Sequence, residues 1–557
     1  MATVELALET ITATNLSPTE HLLLKHFVEG AVHPATAAEY LLSRVQTSND
    51  SVEDSLRELK QQWRSLASRL TAVDPIPPDV QDLVRQRDGA DFALRRNPSH
   101  VPGSNIEPAF VIPPSMVQVV DSAEQGSLLP LLEAFLSVDR VTRLRNLLDP
   151  GPEDNPTRLK NLLSLPPSIH KAFRAGHVDI RTRDELAGGP PPGCEPEYPE
   201  SCGYGMRKQY PEEVSGLYVG DGTPFDSTFL FFQLSTSDAK RLCLPSSFLI
   251  NIHFRFATAL HLFYVEDKAA RGWPSPSIGL SVPGVVSQSF RWLWLRLPEW
   301  LRVPCYMLLK SVGLRMYPLE AGVWAQRLPF GLYMKQCTRA PKNEPNVLRL
   351  IEKHTTIPAP RLIDAWETDG KTNIIMTRLP GTPIGEVCHL MSYPERDRFA
   401  KDLKNCVEQL RKIPNTTPYL ICDTLGGPIA DHRIPRDTGG PFKTETDFNN
   451  HLSIHLKVPF SKIVELKNLP ARDHQHFYLT HSDFHPSNLL VERGRLSAIV
   501  DWESAGFRPE YWEFTKAMYG AMGGHVMSDI FWRTFGREYE TELEVERQLW
   551  YLTPFGV

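Results

Sequence analysis

The chain lacks several features that mark secreted and disulfide-bonded proteins. Its 557 residues contain eight cysteines, none of them in a CxxC pair. Scattered cysteines without such motifs favour free thiols in a reducing compartment. The first residues, MATVELALETITATN, are acidic and lack a basic segment followed by an apolar core, so they do not resemble a secretion signal. We therefore expect a cytoplasmic protein.

Long uninterrupted apolar runs are missing as well. Two stretches come closest, residues 246–265 and 290–309, and both contain several charged or polar side chains. Because a membrane-spanning helix needs about 20 predominantly apolar residues, neither stretch predicts a transmembrane segment. The second stretch combines Trp292, Trp294 and Trp300 with arginines. We expect it to pack against a neighbouring lobe, with a position on a membrane surface as the alternative.

The chain also lacks an excess of positive charge. Lys and Arg number 60 against 66 Asp and Glu, which gives a net charge of −6. Proteins that bind nucleic acid or anionic membranes through their overall charge are basic, so nucleic acid is not an expected partner. A local basic patch is compatible with this balance. With 41% hydrophobic and 23% charged residues, the composition is that of a globular protein.

Three regions are predicted before residue 290. Residues 1–100 are helical, and Ser17 and Glu20 predict a capping box at the start of one helix. Residues 101–186 are a second helical region, and residues 187–289 combine a Pro- and Gly-rich linker with an unassigned α/β segment. A further helix after Ser51 is predicted by an apolar stripe at spacings of three and four residues, comprising Leu56, Leu59, Trp63, Leu66 and Leu70.

A short stretch of the second region resembles the back half of HNH endonuclease modules found in fungal proteins. The resemblance rests on Asn161, His170, Phe173 and Gly176. A working site of that kind also needs a histidine base and ligands from an upstream hairpin, yet residues 101–169 contain neither His nor Cys. The alternatives are a degenerate HNH-like remnant and an unrelated helical segment with an ordinary histidine. An active nuclease is not expected.

The richest pattern lies near the C-terminal end of the chain. His481, Asp483 and Asn488 follow a strand-like FYLT segment and match the HxDxxxxN spacing of a kinase catalytic loop. The residues that follow predict a β-hairpin, with Gly494 at its turn and Asp501 after its second strand. Antiparallel pairing about Gly494 places Asn488 and Asp501 at the same end of the hairpin.

These four polar residues are the types that phosphoryl transfer needs. An amide oxygen and a carboxylate suit Mg²⁺, so Asn488 and Asp501 are predicted to hold the metal. Asp483 is then free to accept the proton of an acceptor hydroxyl group, and His481 braces the loop. The alternative is an ordinary surface loop before a hairpin, with Asp and Asn chosen for turns and His481 buried.

The segments HSDFHPSNLLV and IVDWESAGFRPEYWEF resemble the aminoglycoside-phosphotransferase-like branch of the kinase superfamily, in its fungal type. The resemblance implies an α+β fold in which residues 290–557 form a bilobal protein-kinase-like domain behind a mainly helical N-terminal region. It also implies ATP and Mg²⁺ as cofactors and a hydroxyl group of a small molecule as acceptor.

A kinase-like centre requires a lysine on an upstream strand and a glutamate on the next helix. Lys335 ends the strand-like run PFGLYMK, and Glu344 opens the following helix, with Glu352 as the alternative partner. The strand before Pro380 predicts the hinge, where the backbone near Thr377 and Leu379 would meet adenine.

One expected element is missing. Residues 313–335 contain three glycines, but none stands in the GxGxxG spacing of a glycine-rich phosphate loop. We therefore expect the loop in this position to enclose the nucleotide phosphates less tightly. The rival to an enzyme is a binding module that keeps the fold without turnover. The sequence predicts neither the acceptor nor the oligomeric state.

Overall fold

The protein is described by a computed structural model that forms two compact units, Met1–Gly272 and Trp273–Val557. This division differs from the expected regions 1–100, 101–186 and 187–289, because one unit spans the first two regions and the third as far as Gly272. Most of the predicted linker lies outside the described residues. The structure describes residues 2–48, 50–88, 106–118, 128–151, 153–182, 198–209, 217–218, 229–274, 291–317, 325–454, 460–461, 474, 476–521 and 525–552.

The first unit is mainly helical, as predicted. Its strands form a two-stranded sheet, β1-β2, and a three-stranded sheet, β3-β4-β5, both antiparallel. In chain order its elements are α1 (Ala2–Ala13), α2 (Pro18–Glu29), α3 (Pro34–Thr47), α4 (Val52–Ser68), α5 (Pro78–Asp88), β1 (Glu107–Phe110), α6 (Ser115–Gln118), α7 (Leu129–Leu136), α8 (Val138–Leu148), α9 (Asn155–Leu159), β2 (Leu162–Leu165), α10 (Pro167–Arg174), β3 (Val178–Thr182), β4 (Ser201–Lys208), β5 (Phe229–Ser235) and α11 (Ser247–Ala270).

The core of the first unit joins residues that are far apart in sequence. Trp63, from the predicted stripe of α4, is fully buried, with its ring centroid 4.5 Å from that of Phe135 and 5.1 Å from that of Phe256. Phe256 lies on α11, which packs against α2 and α4. Because one late helix completes a core begun by the first helices, residues 1–272 form one compact unit.

Helix α11 corresponds to the first apolar stretch of the sequence. In the described part of the chain it is the one helix with the length and composition to cross a membrane, and 78% of its most apolar window is buried inside the protein. His253 and His261 lie on it and are buried. A core helix of a globular unit has the same properties.

Local signals are confirmed in several places. Ser17 and Glu20 form the predicted capping box of α2, and Lys60 also binds the Glu20 carboxylate, with an N–O distance of 2.8 Å. Residues 129–148 form two consecutive helices, α7 and α8. Ser137 separates them, with a left-handed φ of 77° that a continuous helix does not contain.

The HNH-like residues have structural roles. The Asn161 side chain accepts a hydrogen bond from the Ile112 N–H (3.0 Å) and donates one to the Ile112 carbonyl (2.7 Å). Phe173 stacks on the His253 ring with the centroids 3.6 Å apart. His170 lies 2.5 Å from a Glu107 carboxylate oxygen.

Asn161 should therefore matter for stability. We expect Asn161→Ala to lower the free energy of unfolding of the first unit by about 1–3 kcal/mol, because two buried backbone groups of Ile112 lose their partner. Urea titration followed by circular dichroism measures this. The control is Asn146→Ala, an exposed asparagine of α8, for which no change is expected. Equal stability of both variants would contradict the structural role.

The second unit contains two lobes. The smaller lobe is a four-stranded antiparallel sheet with the order β6-β7-β9-β8. The elements of the unit are α12 (Glu299–Met316), β6 (Ala325–Leu328), β7 (Leu332–Cys337), α13 (Asn343–His354), β8 (Leu362–Thr368), β9 (Lys371–Thr377), β10 (Thr382–Pro383), α14 (Ile384–Val387), α15 (Tyr393–Leu410), β11 (Cys422–Asp423), β12 (Ile429–Ala430), β13 (Thr438–Gly439), α16 (Glu445–Leu452), β14 (Phe477–Thr480), β15 (Leu489–Glu492), β16 (Arg495–Ile499), β17 (Gly506–Pro509), α17 (Trp512–Gly520), α18 (His525–Phe535) and α19 (Glu540–Leu552).

The larger lobe is mainly helical and carries the predicted hairpin. Strands β15 and β16 pair with Leu489 opposite Ile499, and Gly494 turns between them with a φ of 75°. Val500 N–H then donates to the Asn488 carbonyl at 2.9 Å, so the pairing extends to the hairpin end. A sheet lobe with α12 and α13, followed by a mainly helical lobe, is the bilobal α+β arrangement that the resemblance implies.

Candidate active site

Three predicted residues meet where the two lobes of the second unit join. Lys335 projects from β7, Glu344 lies in the first turn of α13, and Asp501 follows β16. The Lys335 ammonium lies 2.7 Å from a carboxylate oxygen of Glu344 and 2.7 Å from one of Asp501. Glu352, the alternative partner, pairs instead with Arg291 on the surface, with an N–O distance of 3.0 Å. The structure thus selects Glu344.

The charges in this cluster stabilise one another. Burial alone would lower the pKa of Lys335, but the carboxylates of Glu344 and Asp501 outweigh it and hold that pKa well above its usual value. Burial raises the pKa of Glu344, although Lys335 opposes this shift. For Asp501, Lys335 outweighs burial and lowers the pKa. Lys335 therefore stays cationic and Asp501 anionic at neutral pH.

The backbone fixes both carboxylates. Asp501 adopts a left-handed conformation (φ 63°, ψ 70°), which turns the chain out of the hairpin. The next residue, Trp502, is fully buried and donates its backbone N–H to the second Glu344 oxygen at 3.2 Å. Asn343 adds two hydrogen bonds, to the carbonyls of Glu503 (3.1 Å) and Ala505 (2.7 Å). These hydrogen bonds join the start of α13 to the residues that follow the hairpin.

The predicted catalytic loop lies beside this cluster. The Asn488 side-chain N–H groups donate to the Asp483 backbone carbonyl (3.0 Å) and to an Asp483 carboxylate oxygen (2.8 Å). The His481 ring is fully buried, and its Nε2 lies 3.0 Å from the Val500 carbonyl. Burial lowers the pKa of His481, so this ring is neutral and donates to Val500. His481 thereby joins the loop to the hairpin end.

The donor set suits a hard cation. The Asp501 side chain is 45% exposed, so its carboxylate is accessible. Both N–H hydrogens of Asn488 point toward Asp483, which leaves the amide oxygen for another partner, and Ser487 is 3.2 Å from it. A carboxylate and an amide oxygen are ligands that Mg²⁺ accepts alongside phosphate oxygens and water.

A buried glutamate that the sequence did not single out anchors the loop. Glu513 of α17 accepts hydrogen bonds from the backbone N–H groups of His481 (2.6 Å) and Ser482 (3.0 Å). Glu513 is 2% exposed, so its carboxylate binds the loop rather than solvent. Burial raises the pKa of Glu513 to about 7.

A second missed residue is Lys516, one helical turn after Glu513. Its ammonium is buried, 3.2 Å from an Asp431 oxygen and 3.6 Å from an Asp483 oxygen. Burial alone would lower the pKa of Lys516, but Asp431 and Asp483 outweigh it and raise that pKa. Asp431 is itself fixed by the Trp512 indole N–H at 3.0 Å. Lys516 is therefore a positioning residue for the Asp483 carboxylate.

The hinge residues lie at the end of β9, without a hydrogen bond to the charged cluster among the described residues. The Thr377 N–H donates to the Arg361 carbonyl at 3.0 Å, and its hydroxyl accepts from the Arg361 N–H at 2.9 Å. Arg378 donates its N–H to the Gly331 carbonyl at 2.7 Å. Thr377 and Leu379 are the two residues whose backbone is predicted to meet adenine. The Thr377 N–H already has a partner, whereas the Leu379 N–H forms no hydrogen bond with any described residue.

Part of the segment expected to form the phosphate loop lies outside the described residues. This concerns residues 318–324, which include Gly322. The described part contains the β6-β7 hairpin, whose turn carries Phe330 with a φ of 63° and 79% exposure. The structure therefore does not test the effect of the missing GxGxxG pattern, which rests on the sequence alone.

A comparison with family models agrees with this geometry. Residues 338–549 match the model described as the phosphotransferase enzyme family. The C-terminal unit carries an aminoglycoside-phosphotransferase-like kinase domain. This match begins after Lys335 and includes Glu344 and the whole catalytic loop. The HNH resemblance finds no support in any comparison, and a search of curated proteins finds no match to this chain.

Several solved structures resemble part of the chain. Aminoglycoside phosphotransferase APH(4)-Ia, as a thermostable mutant with ADP and hygromycin B, is 15% identical, with coverage of 42% of this chain and 82% of that one and a TM-score of 0.30. Macrolide 2′-phosphotransferase MphH from Brachybacterium faecium is 17% identical, with coverage of 45% and 90% and a TM-score of 0.29. At these values they add no argument on acceptor or site residues.

Glu513 gives the domain a measurable pH dependence. Its pKa is about 7 in the folded protein against 4.5 for a free glutamate. The folded chain therefore retains a proton that the unfolded chain releases between those values, and stability falls as pH rises from about 4.5 to 7. We expect Glu513→Gln to remove this part of the pH dependence, up to about 3 kcal/mol.

Urea unfolding at pH 5 and pH 8 measures the effect. The control is Glu408→Gln, an exposed glutamate of α15, which should keep the wild-type difference between the two pH values. The same pH dependence in Glu513→Gln and in the wild type would contradict a proton on Glu513.

Proposed function

We propose that the domain transfers the γ-phosphoryl group of ATP to a hydroxyl group of a small molecule. The observation that carries this proposal is the Lys335 ammonium, 2.7 Å from both Glu344 and Asp501. A lysine held between a helix and the end of a hairpin presents positive charge where a triphosphate would lie. The family match supports the same reaction class.

The roles follow from the contacts. Lys335 contacts the phosphates of ATP while Glu344 keeps its ammonium in place. The Leu379 N–H meets the adenine base. Asn488 and Asp501 hold Mg²⁺, which neutralises charge on the phosphate oxygens when bound.

Asp483 acts as the general base. Its carboxylate takes the proton of the acceptor hydroxyl as that oxygen bonds to the γ-phosphorus, and the bond from the γ-phosphorus to the ADP oxygen breaks. Asn488 donates to one oxygen of this carboxylate at 2.8 Å, and the Lys516 ammonium lies 3.6 Å from the other, so the carboxylate is oriented from two sides. His481 keeps the loop against the hairpin.

Nucleotide binding tests the role of Lys335. We expect Lys335→Met to weaken binding of a non-hydrolysable ATP analogue with Mg²⁺ at least about tenfold, since a charge-assisted contact contributes about 1.5–3 kcal/mol. Isothermal titration calorimetry measures the dissociation constant. Lys342→Met is the matched control, because Lys342 is an exposed lysine immediately before α13. Equal weakening in both variants would contradict the role.

Turnover tests the role of Asp483. We expect Asp483→Asn to lower kcat by a factor of roughly 10²–10⁴, the usual contribution of a general base, with analogue binding changed less than about twofold. ADP release is measured against a panel of hydroxyl-bearing small molecules that includes aminoglycosides and macrolides. Asp369→Asn, in the exposed β8-β9 turn, is the control. Analogue binding by the wild type without turnover on any acceptor would favour a binding module instead.

A further inference from the structure

A large apolar surface covers the outside of the smaller lobe. We call it the α12 face. Its side chains share an exposure of 39–72%, which is high for residues that favour the core. They are concentrated in 26 consecutive residues, 291–316. The α12 face comprises Trp292, Leu293, Leu295, Leu297, Trp300, Leu301, Met307, Leu308, Leu314 and Met316.

The opposite side of α12 is firmly packed. The Tyr306 ring is buried and stacks on Trp366 of β8 with the centroids 5.4 Å apart. The Tyr306 hydroxyl donates to Asp364 at 3.0 Å, and Arg302 forms an ion pair with the same carboxylate. Gly313 lets the helix approach β6, because a Cβ there would clash with the Arg327 carbonyl oxygen. These contacts bind one side of α12 to the sheet, so the α12 face on the other side points away from it.

Single exposed apolar residues are ordinary, but a contiguous group marks an interaction surface. The kind of partner is indicated by the charges around the group. Residues 291–316 contain five cationic side chains and one acidic one. Arg291 and Arg302 are paired with carboxylates, whereas Arg296 lies 3.7 Å over the Trp292 ring and stays exposed. Lys310 and Arg315 add two more cations.

A basic groove adjoins the α12 face. Two of its cationic side chains, Arg349 and Lys353, are exposed on α13 and form no ion pair within the described residues. The groove has a volume of about 430 Å³ and is lined by Arg291, Trp292, Leu295, Arg349, Glu352 and Lys353. Unpaired cations beside tryptophan and leucine suit an anionic head group next to an acyl chain.

We propose that the α12 face binds the surface of a membrane that contains anionic lipids. Trp292 and Trp300 enter the interfacial layer, where their amphipathic rings are most stable, and the leucines reach the acyl chains. Arg349 and Lys353 contact the lipid phosphates or carboxylates. The chain's net charge of −6 opposes binding through overall charge, so the local patch must supply the attraction.

Vesicle sedimentation tests this with the full-length protein and no nucleotide, so the result is independent of the proposed reaction. We expect binding to phosphatidylcholine vesicles with 30% phosphatidylserine and much weaker binding to pure phosphatidylcholine. The double variant Trp300→Ser, Leu308→Ser should bind at least about tenfold less, because both side chains lose apolar burial. Leu425→Ser, an exposed leucine of the larger lobe, is the control and should bind like the wild type.

The charge contribution is tested separately. Each cation near an anionic surface contributes about 1 kcal/mol, so Arg349→Gln with Lys353→Gln should lower affinity for the anionic vesicles on the order of 25-fold. Absence of binding, or equal binding to both kinds of vesicle, would overturn the proposal. It would also be overturned if sedimentation velocity showed a dimer that Trp300→Ser, Leu308→Ser dissociates, because the α12 face would then bind a second copy of the chain.

Discussion

The second unit depends on one buried cation that three elements share. Lys335 can be buried because Glu344 and Asp501 compensate its charge, and the Glu344 carboxylate tolerates burial because Lys335 is present. A buried pair of this kind gives little net stability, since desolvation offsets much of the attraction. Its effect is geometric, because the two contacts join β7 to α13 and to the hairpin end and orient the Asp501 carboxylate.

The catalytic loop is likewise fixed by buried polar contacts, here with Glu513 of α17 and with the hairpin end. Two of its backbone N–H groups bind Glu513, and its histidine binds the Val500 carbonyl. Polar groups in a buried loop need partners, because an unsatisfied one costs about 1–3 kcal/mol. Here those partners come from α17 and from the hairpin, so the conformation of the loop is set by its surroundings. Asp483 is consequently held before any substrate arrives.

The features that the sequence predicted correctly are those that depend on residues close together in the chain. The loop at His481 to Asn488, the turn at Gly494 and the capping box at Ser17 depend on neighbours within a few residues, and the structure contains the local geometry that each requires. Glu513 and Lys516 were missed because their partners lie about thirty or more residues away, and acids and lysines on a helix usually face solvent. The single N-terminal unit was missed for a similar reason, since a late helix completes an early core.

The two faces of the small sheet explain how a membrane surface and a nucleotide could act on one lobe. Side chains of a strand alternate between faces. Met334 therefore packs with Tyr306 beneath α12, whereas the next residue, Lys335, points to Glu344 and the hairpin end. A membrane on the α12 face would leave the cluster around Lys335 accessible.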